Sequence, residues 1–158
     1  MGARAEAFAK QFETKVQDAT AVLEKLTDAE WKKITSAEKW SVGVTAHHIA
    51  MAHQGIGGIM KALADGKPGP NMPLKALDDM NAQHAKEHAS CTKAETITLH
   101  KKNAAAAAAL LRTIDDAAFD RSSKVFTEAP PMTAAQMAGI LSSHIDEHLG
   151  SIRSTVGR

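Results

Sequence analysis

The feature that most constrains the fold is a set of four long stretches in which apolar residues recur every three or four positions. This spacing places the apolar side chains on one face of an α-helix. The predicted helices cover residues 4–26, 41–65, 92–115 and 133–156. Strand-like alternation is almost absent, and its best patch, residues 124–127, is short and isolated. We therefore predict an all-α protein built as a four-helix bundle.

Residues that cap or break helices mark the ends of these stretches. Ser41 is a favourable N-cap, and the segments 92–95 and 133–136 have the capping-box pattern, in which Thr precedes Glu or Gln by three residues. Residues 66–73 contain three prolines and two glycines, which cannot continue a helix. The second long helix should therefore end near residue 65.

Two shorter helical segments complete the prediction: a turn at residues 29–31 and a helix over 74–90. The connection between the second and third long helices, residues 66–92, is long. A simple up-down-up-down bundle with tight loops therefore does not follow from the sequence.

Length and composition limit the function classes. A chain of 158 residues fits one domain, 1–158, and its 19 basic and 18 acidic residues give a net charge of +1, which argues against a dedicated nucleic-acid binder. No apolar run is long enough for a membrane span or a signal peptide, so we expect a cytoplasmic protein without a membrane partner. The single cysteine excludes an internal disulfide and a cysteine-only zinc cage.

Histidine is the unusual component, and the search for function starts there. The eight are His47, His48, His53, His84, His88, His100, His144 and His148. On a helical wheel of the last helix, His144 and His148 fall in the same apolar stripe as Leu141 and Ile145, one turn apart. Imidazoles that point into an apolar core need a partner, and a divalent metal suits two nitrogens at i and i+4.

His48 is the inward-facing histidine of the second helix, since Val44 and Ala52 share its side of the wheel. His47 and His53 are predicted at the margins of that stripe. Three neutral histidines from two helices leave at least one open position on a Zn²⁺ ion. This pattern is typical of a catalytic metal site.

Four other residues compete for a role. His84 and His88 have the same i,i+4 spacing, but their short polar helix predicts solvated side chains. His100 lies on the apolar face of the third long helix. Three roles are considered for it, in this order: a core histidine, a residue that contacts the metal ligands, or a fourth ligand. Glu147 completes an H-x-x-E-H pattern with His144 and His148, as in inverted zinc peptidases, where it would be the general base. The chain is far too short for those enzymes.

Two motifs of this chain, the run Trp-Ser-Val-Gly at 40–43 ahead of His48 and the pair His144 and His148, resemble motifs of the DinB/YfiT-like superfamily. The run Trp-Ser-Val-Gly at 40–43, with His48 eight residues after the tryptophan, resembles the opening of that superfamily's metal-binding helix. The pair His144 and His148, followed by Leu149, is similar to its last-helix ligand pair.

The resemblance implies a four-helix bundle, often dimeric, with His48, His144 and His148 as ligands of zinc, nickel or a related ion such as iron or manganese. His47 adjoins the first of these and could compete for its role. The resemblance also implies a metal-dependent enzyme that activates a low-molecular-weight thiol, such as mycothiol or bacillithiol, for S-transfer to a small electrophilic substrate. Glu147 and His100 are the candidates for proton handling. The alternative is a non-enzymatic stress-response or binding module with a structural or vestigial metal.

Overall fold

The computed structural model describes residues 2–158, and helices dominate it. Six α-helices are present in these residues: α1 (Ala3–Lys25), α2 (Asp28–Trp31), α3 (Val42–Ala64), α4 (Leu74–Glu87), α5 (Lys93–Arg112) and α6 (Ala134–Val156). A 3-10 helix covers Asp116–Asp120, and two short strands, β1 (Ser122–Ser123) and β2 (Met132–Thr133), pair in antiparallel fashion. None of the described helices has the length and apolar character that crossing a membrane requires. The predicted all-α fold is confirmed.

The predicted caps determine where the long helices begin. The Ser41 hydroxyl accepts a hydrogen bond from the backbone N–H of Val44, and both predicted capping boxes, at 92–95 and 133–136, are formed in full. The prediction was less accurate at two C-termini, since α4 ends at Glu87 and α5 at Arg112. Caps are local side-chain contacts and can be seen in sequence, whereas these C-termini carry no glycine or proline to mark them.

The four long helices do not follow one another around the bundle. Helix α1 packs against α5 and α6, and α3 packs against the same two helices. Consecutive long helices α1 and α3 therefore occupy opposite corners of the bundle instead of lying side by side. Helix α4 lies outside this core and meets the bundle mainly through α3.

The two long connections hold each other in place at one side of the bundle. The backbone N–H groups of Asn71 and Met72 donate to the carbonyls of Lys124 and Val125, and Phe126 forms a parallel bridge with Met72. The strand-like patch at 124–127 is therefore not isolated, because the proline-rich segment supplies its partner. These contacts fix the start of α4 relative to α3.

Candidate metal centre

Helices α3 and α6 bring together the rings of His48, His144 and His148, which we call the first triad. The Nε2 atoms of His48 and His144 lie 3.1 Å apart. The ring centroid of His148 lies 4.7 Å from that of His48 and 4.4 Å from that of His144. One nitrogen from each ring lies within 4.8 Å of the other two, which is close enough for all three to reach one ion.

The packing of α6 on α3 explains this convergence. Ile145, Leu149 and Ile152 on α6 are buried in the core, and they fix the rotation of the helix. His144 and His148 are one turn apart beside this apolar row, so both rings point toward α3. On the α3 side, Trp40 packs edge-on against His48, with ring centroids 5.2 Å apart.

A carboxylate missed by the sequence analysis supports the first triad. Glu38 Oε2 lies 2.7 Å from His148 Nδ1, and Glu38 Oε1 accepts a 2.5 Å hydrogen bond from the Ser151 hydroxyl. The Glu38 side chain is only 8% exposed, so this contact is shielded from water. With Nδ1–H donating a hydrogen bond to Glu38, the lone pair of His148 is on Nε2, which is the arrangement found behind many metal-binding histidines.

Glu38 is held in its charged form. Burial acts to raise its pKa, but hydrogen bonds from Ser151, His148 and Thr35 outweigh burial, and the net pKa is lowered. A carboxylate that accepts several hydrogen bonds is stabilised as the anion. Glu38 can therefore fix both the orientation and the tautomer of His148.

Burial keeps two rings of the first triad neutral. The pKa of His48 is lowered to about 3 by burial and then by the neighbouring His144 and His148. The pKa of His144 is also lowered to about 3, by burial first and then by His148 and His53. Near neutral pH both rings therefore present free lone pairs, which is the state that binds a metal ion.

A second triad lies beside the first and consists of His47, His84 and His88. His47 Nδ1 lies 2.8 Å from His84 Nε2, and the rings of His47 and His88 stack with centroids 4.0 Å apart. Again, one nitrogen from each ring lies within 4.8 Å of the others. Burial, followed by the nearby histidines, lowers the pKa of His47 to about 4, and burial followed by His88 lowers that of His84.

The second triad corrects two of our expectations. His84 and His88 were expected to be solvated, but both are partly buried against His47. His47 was expected at the margin of the α3 stripe, yet it is only 6% exposed. The physical reason is that α3 is covered by α4 as well as by α5 and α6, so its buried surface is wider than the single stripe of a wheel.

The remaining two histidines form a pair in the core. His53, also expected at a margin, is buried, and its Nε2 lies 3.0 Å from Nδ1 of the buried His100. The other nitrogen of His100 lies 3.4 Å from the Val16 carbonyl oxygen. His100 is therefore a core histidine, the first of the three roles considered for it.

Glu147 and a groove between α1 and α5 both lie away from the histidine triads. The Glu147 side chain is exposed, although it adjoins His148 in sequence, so Glu38 is the carboxylate that contacts the triad. A groove of about 600 Å³ between α1 and α5 is lined by Val16, alanines and polar residues and contains no histidine. The histidine clusters are therefore the stronger candidates for a functional site.

A protein-family model described as the DinB superfamily matches this chain. The family model matches residues 11–152, which include all eight histidines and Glu38. No functionally curated protein matches the chain.

Two kinds of solved structure share the fold. The mycothiol-dependent maleylpyruvate isomerase superposes with a TM-score of 0.75 at 12% identity, over 96% of this chain and 63% of that one, and a mutant of it gives 0.76 at 13% identity over the same shares. YfiT from Bacillus subtilis, described as a probable metal-dependent hydrolase with an unusual four-helix bundle topology, superposes at 0.70 with 18% identity, over 99% of this chain and 90% of that one. The chain thus spans less than two thirds of the isomerase. These likenesses establish the fold.

Proposed function

The chain belongs to the DinB superfamily, and from that premise we propose that His48, His144 and His148 bind a divalent transition-metal ion in a metal-dependent enzyme. The observation that carries the proposal is the convergence of three rings, two of them held neutral by burial, around one point. The resemblance to the superfamily favours zinc or nickel, both of which imidazole nitrogens bind, with iron and manganese as further candidates. Three ligands leave a coordination position for a substrate.

Three neighbouring side chains position the histidines that would hold this ion. Glu38 accepts a hydrogen bond from Nδ1–H of His148 and so leaves Nε2 free, while Ser151 donates to the carboxylate and fixes it. Trp40 covers one side of His48 and limits its rotation. These contacts pre-organise the ligands, so less ordering is needed when the ion binds.

We propose further that the substrate at the open position is a low-molecular-weight thiol and that the reaction is S-transfer. The support is the shared fold with an isomerase described as mycothiol-dependent. A divalent ion acts as a Lewis acid that favours the thiolate form of a bound thiol. In the transfer, the sulfur forms a bond to an electrophilic carbon, the carbon–leaving-group bond breaks with its electron pair, and the thiol proton goes to solvent.

Metal analysis of untagged protein tests the metal part of this proposal. We expect a bound ion that disappears from the first triad when either His144→Ala or His148→Ala is introduced. The matched control is Glu147→Gln, which changes an exposed carboxylate beside His148 and should leave the metal content unchanged. A metal content equal to that of the wild type in both alanine variants would contradict the assignment of these ligands.

Turnover tests the reaction. Zinc- or nickel-loaded protein is mixed with a panel of thiols (mycothiol, bacillithiol, glutathione, cysteine) and a chromogenic aryl halide, and thioether formation is followed by absorbance and mass spectrometry. We expect metal-dependent product that is lost in His144→Ala. Metal binding without turnover for any thiol would instead support the non-enzymatic binding module. Product formed equally by metal-free protein would contradict the S-transfer mechanism.

The superfamily resemblance also implies a homodimer, and we retain that as part of the proposal. Light scattering coupled to size-exclusion chromatography tests it directly. A mass near twice 16.8 kDa is the expected result, and a mass near 16.8 kDa at all concentrations would contradict it.

A further inference from the structure

We propose that His47, His84 and His88 hold a second divalent transition-metal ion between α3 and α4, beside the first triad, and that this ion fastens α4 to the bundle. The inference concerns a different set of ligands from the proposed function and does not depend on any catalytic activity. It begins with the geometry of the second triad. The three rings meet at separations of 4.0 to 5.0 Å between centroids, and one nitrogen of each is within reach of a common ion.

The protein alone does not satisfy these rings. His84 Nε2 meets His47 Nδ1, but His84 Nδ1 is fully buried and has no hydrogen-bond partner among the described residues. A buried polar atom without a partner is costly, so such atoms call for an explanation. The core pair differs in this respect, because the second ring nitrogen of His100 has the Val16 carbonyl oxygen as its partner.

The second triad is also the place where α4 needs stabilisation. No residue of α4 is buried, so the helix has little apolar surface with which to hold itself against α3. His84 lies in its last turn and His88 is its C-cap, so two of the three ligands stand at its C-terminal end. The negative end of the helix dipole favours a cation there.

The charges around the second triad favour a cation as well. Glu95 is the charged side chain that acts on His47 from the start of α5, and Glu87 acts on His84 from α4 itself. The other groups that act on these two rings are histidines. Both carboxylates favour positive charge at the second triad. Its ligands are imidazoles, which bind transition metals such as zinc and nickel.

The two triads are neighbours. His47 and His48 are consecutive on α3, and the rings of His48 and His84, one from each triad, have centroids 5.8 Å apart. An ion in each triad would form a two-ion centre along one side of α3. The number of ions per chain therefore separates this proposal from a single shared site.

Cobalt titration of metal-free protein measures that number. With Co²⁺ followed by absorption, and the metal content checked after gel filtration, we expect two ions per wild-type chain. We expect one ion in His84→Ala/His88→Ala, one in His144→Ala/His148→Ala, and none when all four changes are combined. The second double variant reports on the proposed function alone, so failure of either proposal can be recognised separately.

Two results of the titration would overturn the second site. One is a single ion in both wild type and His84→Ala/His88→Ala. The other is a single ion that both double variants abolish, which would mean that the two triads share it. The variants on α4 should fold normally because the helix contributes no buried residue, and circular dichroism checks this.

Hydrogen exchange tests the fastening of α4. We expect zinc to slow the exchange of the amides in Leu74–Glu87 at least tenfold in the wild type and to leave it unchanged in His84→Ala/His88→Ala. The matched control is Lys75→Ala/Asp79→Ala, which removes an exposed ion pair elsewhere on α4 and should keep the zinc effect. Exchange in α4 that does not respond to zinc in the wild type would overturn this role.

Discussion

The two histidine triads lie side by side but differ in what supports them. The first joins two long helices of the core, and a buried carboxylate, Glu38, fixes one of its rings. The second joins the core helix α3 to α4, which has no buried residue, and one of its ring nitrogens has no partner in the protein. The first triad is therefore pre-organised by packing. The second triad, in our proposal, attaches α4 to α3, which packing alone does not do. The core pair of His53 and His100 represents a third case, in which the two rings contact each other and His100 also contacts a backbone carbonyl.

The largest expected effect is that of metal removal on stability. An ion that binds only the folded state stabilises it by about 4 kcal/mol when its free concentration is about 1,000 times its dissociation constant. Zinc-loaded protein should therefore unfold at a clearly higher temperature than chelator-treated protein. The four-histidine variant (His84, His88, His144 and His148 to Ala) should show no difference. Thermal unfolding by circular dichroism measures this, and a wild type indifferent to the chelator would contradict metal binding by either triad.

A change in the core pair should lower the stability of the fold without affecting metal binding. His53→Ala leaves a cavity beside Phe12 and deprives His100 Nδ1 of its partner, so we expect a loss of about 3 kcal/mol in metal-free protein. The metal content should remain that of the wild type. Urea unfolding and elemental analysis measure the two quantities. Loss of an ion from folded His53→Ala would show that the core pair belongs to the metal centre.

Glu38 distinguishes the first triad from the second. Glu38→Gln keeps the size of the side chain but removes the charge that holds His148, so the affinity of the first triad should fall about 10- to 100-fold. The second triad has no such carboxylate contact and should keep its affinity. Competition with a chromophoric chelator measures both sites, with Glu147→Gln as the control. Equal metal affinity of the first triad in wild type and Glu38→Gln would contradict this role of Glu38.

The pH dependence of metal-free protein should show the smallest effect. Burial, followed by His100, lowers the pKa of His53 to about 3, whereas an unfolded histidine has a pKa of about 6.5. Below pH 6.5 the unfolded chain binds a proton that folded His53 refuses, so stability is retained above pH 6.5 and falls as pH decreases toward 3. Between pH 7.5 and 5.5 this single group should cost about 1 kcal/mol. The His53→Leu variant should show a correspondingly shallower pH slope in urea unfolding, and an identical slope would contradict this origin.

Sequence reasoning succeeded where one helix at a time determines the answer. The capping residues Ser41, Thr92 and Thr133 mark helix starts through contacts within four residues, and the wheel of α6 placed His144 and His148 on its inner face. These are local properties. The proximity of His48 to that pair followed because facing helices of a bundle lie close together.

Sequence reasoning failed where distant segments meet. Glu38 lies in the loop before α3, which has no periodicity to show where its side chains point. The position of α4 depends on the contacts of Met72 with Val125 and Phe126, which no local pattern reveals. The burial of His84 and His88 follows from that position, so a helix that was correctly predicted still gave the wrong environment for its histidines.

Anomalous diffraction from crystals of zinc-loaded protein, recorded at the zinc absorption edge, tests the central claim most directly. The account predicts a peak about 2.0–2.1 Å from one ring nitrogen of each of His48, His144 and His148. Density without a zinc peak at these three rings, or a peak at His47, His84 and His88 alone, would contradict it.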